Sequence, residues 1–124
     1  QPMPTEKQIV ETFEKMAADI PGFIAASLVD LDSGMTLGLK SGRPDFDLAA
    51  ASAYNSEMVK QKLKIMKALN IKSNLEDMLI TLGDQIHVIK LVTPGTFIYL
   101  AAERANSNIA IVRTAVNKNA PTLV

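Results

Sequence analysis

The chain has 124 residues, 48% hydrophobic and 21% charged, the scale of one globular domain able to bury a core without staples. Thirteen basic side chains balance thirteen acidic ones, so the chain as a whole has no field to draw it onto nucleic acid or anionic lipid. Cysteine is absent, which excludes disulfides, thiolate catalysis and cysteine-held metal, and suits a reducing compartment; the expected location is the cytoplasm.

The opening Gln1-Pro2-Met3-Pro4 shows no basic-then-apolar leader. Thr5 and Gln8 have the spacing of a capping box, and Ile9, Val10, Phe13, Met16, Ala17 and Ile20 then recur at helical period. Pro21-Gly22 stops that helix. Residues 23–31 predict a strand with small residues Ala25, Ala26 and Ser27 inside it, and Asp32-Ser33-Gly34 turns the chain into a short return strand over 35–39. A polar loop follows to Phe46. Asp47 is placed to N-cap a long helix running to about Leu69, with Asn70 ending it. Three strands come next, over 75–82, 85–92 and 96–104, joined by a Gly-first turn at Gly83-Asp84 and by Thr93-Pro94-Gly95. Asn106-Ser107-Asn108 caps a last helix to about Val116, and 117–124, with Pro121, is expected as a tail. The order α-β-β-α-β-β-β-α, with hairpins between consecutive strands, predicts an α+β domain over 1–124: a mostly antiparallel sheet with helices laid on it.

The helix 47–69 is the most informative segment. At 3.6 residues per turn, Tyr54, Met58 and Ile65 group on one side, and Leu48, Val59, Leu63 and Met66 roughly 90° away. The apolar arc is near 180°, against ~100° for a helix lying on one core. Either another part of the chain covers the second side, or a second chain does. Asn55 and Lys62 sit inside the arc. Lys60, Lys64 and Lys67 recur on the remaining face, which is either a solvated face or a docking surface for an acidic partner.

The search for chemistry returns no catalytic, cofactor or metal residue. His87 is the only histidine and falls within a strand, so a zinc site lacks ligands. No Gly-x-Ser-x-Gly elbow exists for a serine nucleophile. Asp30-x-Asp32-x-Gly34 has Ser41 where a calcium loop needs its bidentate Glu. Gly38-Leu39-Lys40-Ser41 is not a phosphate loop, because no Gly directly precedes the Lys. The few aromatic residues do not alternate with basic ones as base stacking requires. No apolar run approaches the ~20 residues of a membrane span.

Several stretches, in order and spacing, resemble the roadblock / dynein-light-chain domain family in its bacterial stand-alone form. They are Ile20-Pro21-Gly22-Phe23-Ile24-Ala25-Ala26 running through Asp30, closed by Asp32-Ser33-Gly34 and Met35-Thr36-Leu37-Gly38; the alanine-rich helix start Leu48 to Ala53; Glu76-Asp77-Met78-Leu79-Ile80-Thr81-Leu82-Gly83-Asp84-Gln85-Ile86-His87-Val88-Ile89; and Phe97-Ile98-Tyr99-Leu100 followed by Asn108-Ile109-Ala110. The resemblance implies a profilin-like sandwich, a five-stranded antiparallel sheet with one helix on one face and two on the other. It implies homodimers in which the strand 75–82 pairs with its copy and the helix 47–69 lies against its own copy. Tyr54, Met58, Ile65, Leu75, Met78, Leu79 and Ile80 are then the expected dimer interface, and Lys60, Lys64 and Lys67 the expected partner-docking face. It further implies work beside a Ras-like small GTPase, as a non-enzymatic scaffold or regulator or as a GTPase-activating protein, although nothing marks Arg43, Arg104 or Arg113 as a finger for a nucleotide site. A small-molecule sensor of related fold is the alternative from another class; it requires an apolar pocket with convergent polar groups.

Overall fold

The computed structural model describes residues 3–124; Gln1 and Pro2, the start of the segment read above for a leader, lie outside them. Helix α1 (Glu6–Asp19) starts on the predicted capping box. The Gln8 N–H donates to Thr5 Oγ1 at 3.1 Å and the Thr5 N–H to Gln8 Oε1 at 2.8 Å. The chain turns at Gly22, whose φ of 77° favours glycine, and enters β1 (Phe23–Asp30) and β2 (Thr36–Ser41). Helix α2 (Leu48–Ala68) is capped by Asp47, which accepts the Ala50 N–H at 3.0 Å. Asn70 then closes it at φ 59°: the Ile71 N–H reaches back to the Met66 carbonyl and the Asn70 N–H to that of Lys67, a Schellman motif.

Strands β3 (Asp77–Thr81), β4 (Gln85–Thr93) and β5 (Thr96–Glu103) follow, then α3 (Ile109–Asn119), capped by Asn108. The two-residue turn at Gly83-Asp84 forms, but Gly83 is not left-handed and an added Cβ would meet nothing, so this turn does not need its glycine. The expected tail does not exist as such. Asn119 continues α3, and Ala120–Leu123 make a 3₁₀ turn with Pro121 in its first turn, where a missing N–H costs nothing. Leu123 and Ala120 are buried, and Thr122 Oγ1 lies 3.1 Å from Thr12 Oγ1 on α1.

The five strands form one antiparallel sheet in the order β2-β1-β5-β4-β3. α1 and α3 cover one face, over a core of Ile9, Phe13, Met16, Leu28, Ile98 and Leu100. α2 covers part of the other, over Ile24, Val29, Leu48, Val59, Phe97 and Tyr99. Helices on both faces explain why the central strands β1 and β5 are almost wholly buried. β2 and β3 are the edges.

Small residues decide how α2 sits. Ser52 Oγ meets Ser27 Oγ of β1 at 2.8 Å and also donates to the Leu48 carbonyl, so both hydroxyls are satisfied at a close approach. Further along, Gly34 lies against Ala53 and Ser56, and Lys60 Nζ donates to the Asp32 carbonyl at 2.9 Å. α2 therefore lies chiefly over β1 and the β1–β2 turn; on that side Ile89 of β4 is still fully buried, while β3 and the His87 end of β4 are only half-covered.

Candidate interaction surface

The 180° apolar arc of α2 divides into two parts. Leu48, Ser52, Ser56 and Val59 turn onto the sheet and are buried. Tyr54, Ile65 and Leu69, on the other sub-face, are 77%, 40% and 66% exposed, while Met58 is half-buried between the two. No other segment of the described chain covers this stripe.

On the same side of the sheet as α2, part of the surface near β3 is left half-covered, as a shelf. Asp77 of β3 points to the α3 side, where Arg113 Nε donates to it at 3.0 Å. Strand alternation then aims Met78 and Ile80 at the α2 side and Leu79 at the opposite one. Met78 and Ile80 are only half-buried and form the floor of the shelf, with His87 beside Ile80 in register. Leu75 joins this side just before β3, packed against the α2-side core. So Met58, Leu75, Met78 and Ile80 pack against one core at this shelf, the exposed Tyr54 and Ile65 continue the helix face on which Met58 lies, and Leu79 is on the other side of the sheet. The outer rim of the shelf is the free edge of β3, an unpaired row of backbone donors and acceptors.

His87 is the polar feature of the floor, and sequence reasoning gave it no partners. Its Nε2 is 2.7 Å from Gln85 Oε1, its Nδ1 is 3.4 Å from the Tyr99 hydroxyl, and its ring meets the Tyr99 ring edge-on at 5.4 Å. Burial pulls the His87 pKa down, against a smaller opposing pull from Asp84. Burial pushes the Tyr99 phenol up to about 12. The neutral imidazole is the form this pocket prefers, and its role here is to satisfy neighbours. A signal was available in the sequence: Gln85 and His87 are two apart on one strand and so share a face.

The lysine row lies on the flank of α2 opposite the apolar stripe. Lys60 is tied to the Asp32 carbonyl and sits 3.4 Å from Glu57 Oε1, whereas Lys64 and Lys67 extend into solvent. Each arginine has a local partner: Arg43 with Asp45, Arg104 with the Leu82 carbonyl, Arg113 with Asp77. Asp30, read above as the start of a failed calcium loop, accepts the Ser33 hydroxyl and N–H. Those bonds hold its carboxyl below the usual range and fix the turn. Among the described residues no three His, Cys, Asp or Glu converge as a metal site, and no helix is long and apolar enough to cross a membrane. The surface grooves, of about 390 to 510 Å³, open to solvent.

No protein-family model matches the sequence, and a search of the curated proteins returns no match. Solved structures do match in three dimensions. MglB of Myxococcus xanthus superimposes with a TM-score of 0.86 at 11% identity, over 99% of this chain and 90% of that one. An MglB with tetrameric arrangement gives 0.83 at 14% identity, over 95% of this chain and 86% of that one. A Roadblock/LC7 domain from Streptomyces avermitilis gives 0.73 at 13% identity, over 93% and 90%. At these identities the backbone path carries the likeness, and it agrees with the stretches read from the sequence: the chain has the fold of the Roadblock/LC7 domain.

Proposed function

We propose that the chain is a non-enzymatic interaction domain that pairs with a second copy of itself and, as that dimer, scaffolds or regulates a Ras-like small GTPase in the cytoplasm. The observation that carries the reading is the apolar shelf opening onto the unpaired edge of β3. A second copy supplies both things the shelf lacks. Its own β3 can add antiparallel to the free edge, and its α2 can lie across Met78, Ile80 and the Tyr54–Ile65 stripe. A two-fold axis through the β3 edges does both at once, since an isologous contact uses the same patch twice. One solved structure of the same fold, an MglB, has a tetrameric arrangement, which supports self-association.

The GTPase partner rests on the sequence resemblance. Lys64 and Lys67 supply a cationic flank away from the proposed seam, where a partner could dock without competing with the second copy; Lys60 is already engaged. Scaffolding is favoured over activation because Arg43, Arg104 and Arg113 are all held by groups of their own chain. An arginine finger needs a guanidinium free to enter the partner's site.

Two measurements test this. Light scattering at micromolar concentration should give twice 13.4 kDa, and a single 13.4 kDa species would sink the dimer. Calorimetric titration of a Ras-like GTPase from the same genome should show binding, with its hydrolysis rate unchanged. A rate increase of a hundredfold would make the protein an activator instead, and absence of binding in both nucleotide states would remove the GTPase from the proposal.

A further inference from the structure

The net charge of zero conceals a steep local imbalance. Between Glu57 and Glu76 the chain carries Lys60, Lys62, Lys64, Lys67 and Lys72 and no acidic residue, which leaves eight basic and thirteen acidic residues for the rest. The fold concentrates these lysines at one end of the molecule. α2 passes the β1–β2 turn at Lys60, and Leu63 lines one surface groove with the β4–β5 turn at Thr93-Pro94. Past Val59 no residue of the helix is buried.

The end of this segment is ordered but uncovered. The Schellman motif at Asn70 fixes the backbone, yet Leu69 and Ile71 stand 66% and 43% exposed at its tip. Cations surround them. Lys62 leaves the helix on the flank of Ile65 and Leu69, Lys64 and Lys67 on the opposite flank, and Lys72 follows Ile71 in the loop. All four are exposed, and among the described residues none is in an ion pair.

We propose that this tip is a contact for an anionic lipid surface, with Leu69 and Ile71 entering the headgroup layer and Lys62, Lys64, Lys67 and Lys72 ringing them. The proposal goes beyond the GTPase reading and does not rest on it; it shares Lys64 and Lys67 with that reading, so lipid and GTPase would compete for this flank. Three features favour lipid over an acidic protein. The cations leave the helix on several sides, whereas a docking helix presents one face to a partner. All are lysine, a compact point charge depleted from protein–protein interfaces, where arginine is enriched. Aliphatic side chains set among lysines combine the two terms, apolar burial and attraction to anionic headgroups, that hold peripheral proteins on membranes.

The experiment is co-sedimentation of the full chain with vesicles of phosphatidylcholine alone or with 30% phosphatidylserine, at low and high salt. Binding is expected only to the anionic vesicles and is expected to be lost in 0.5 M NaCl. A lysine at an anionic leaflet contributes on the order of fivefold in partitioning, so Lys62→Glu/Lys72→Glu should weaken it by at least about tenfold. Leu69→Ser/Ile71→Ser keeps every charge and should weaken it several-fold. Equal binding to both vesicle types, or unchanged binding by either double variant, overturns the proposal. So does binding to polyglutamate without binding to vesicles, which would assign the tip to an acidic protein. The Lys62/Lys72 pair spares Lys64 and Lys67, and the dimer is read separately by mass, so failure here is distinguishable from failure of the GTPase reading.

Discussion

Replacing Tyr54 by alanine removes the most exposed large side chain of the α2 stripe while touching little of the folded monomer. A buried tyrosine withdraws about 150–250 Å² from water. At 77% exposure, on the order of 150 Å² of Tyr54 remains to be covered, at most about 4 kcal/mol per copy at ~25 cal/mol/Å². Allowing for the hydroxyl and for incomplete coverage leaves about 2 kcal/mol per copy. Two-fold symmetry counts each substitution twice, so the dimer loses about 4 kcal/mol, or roughly a thousandfold in Kd. Monomer stability should change by no more than about 0.5 kcal/mol, the range of ordinary surface substitutions. Sedimentation over a concentration series gives the dimer constant, and denaturant unfolding of the monomeric variant gives the second quantity. Tyr54→Phe should keep nearly all of the association. A Tyr54→Ala dimer constant within threefold of the wild type would refute the argument, because the stripe would then not be what the second copy covers.

Gly38→Ala places a Cβ 2.6 Å from Ile9 Cγ2 and 2.8 Å from Ile9 Cβ, and should cost about 1–3 kcal/mol in urea unfolding. Gly83→Ala, with open space around its Cβ, is the matched control and should stay within about 0.5 kcal/mol. Leu123→Ala should cost about 2–5 kcal/mol, seen as a lower Tm, since its side chain is buried among α1 and α3; a loose terminus would show no change. His87 has a folded-state pKa below its unfolded value of 6.5, so its contribution is intact above pH 6.5. That contribution is lost as the pH falls below 6.5 towards the folded value, because the unfolded chain then binds the proton more readily. Melts at pH 7.5 and 5.5 should show the loss in the wild type and a smaller one in His87→Gln; equal losses would contradict the assignment.

Element order, most caps and fold were legible in the sequence because local rules set them. The Thr5/Gln8 capping box, the Asp47 and Asn108 caps and the Asn70 stop each act within one turn of chain, and all form. The 180° arc of α2 was legible for the same reason, as periodicity needs no partner to be counted. What failed locally was the end of the chain. Pro121 signals a break by itself and fits a 3₁₀ turn only because α1 and α3 offer Leu123 a place to bury.

The sequence alone determined which residues of α2 are apolar; it could not say which sub-face meets the sheet. That choice is tertiary, made where Ser27 and Ser52 let the two backbones approach and so turn Leu48 and Val59 inward and Tyr54 outward. The same holds for Met78, Leu79 and Ile80: alternation separates Leu79 from the other two, but only the Asp77–Arg113 pair and the position of α3 decide which side is which. The total charge of the chain is zero, which is a property of the sequence alone. The acid-free run of lysines from Lys60 to Lys72 is written in the sequence; that Lys62, Lys64, Lys67 and Lys72 stand exposed, beyond Val59 as the last buried residue of α2, is decided by the tertiary structure.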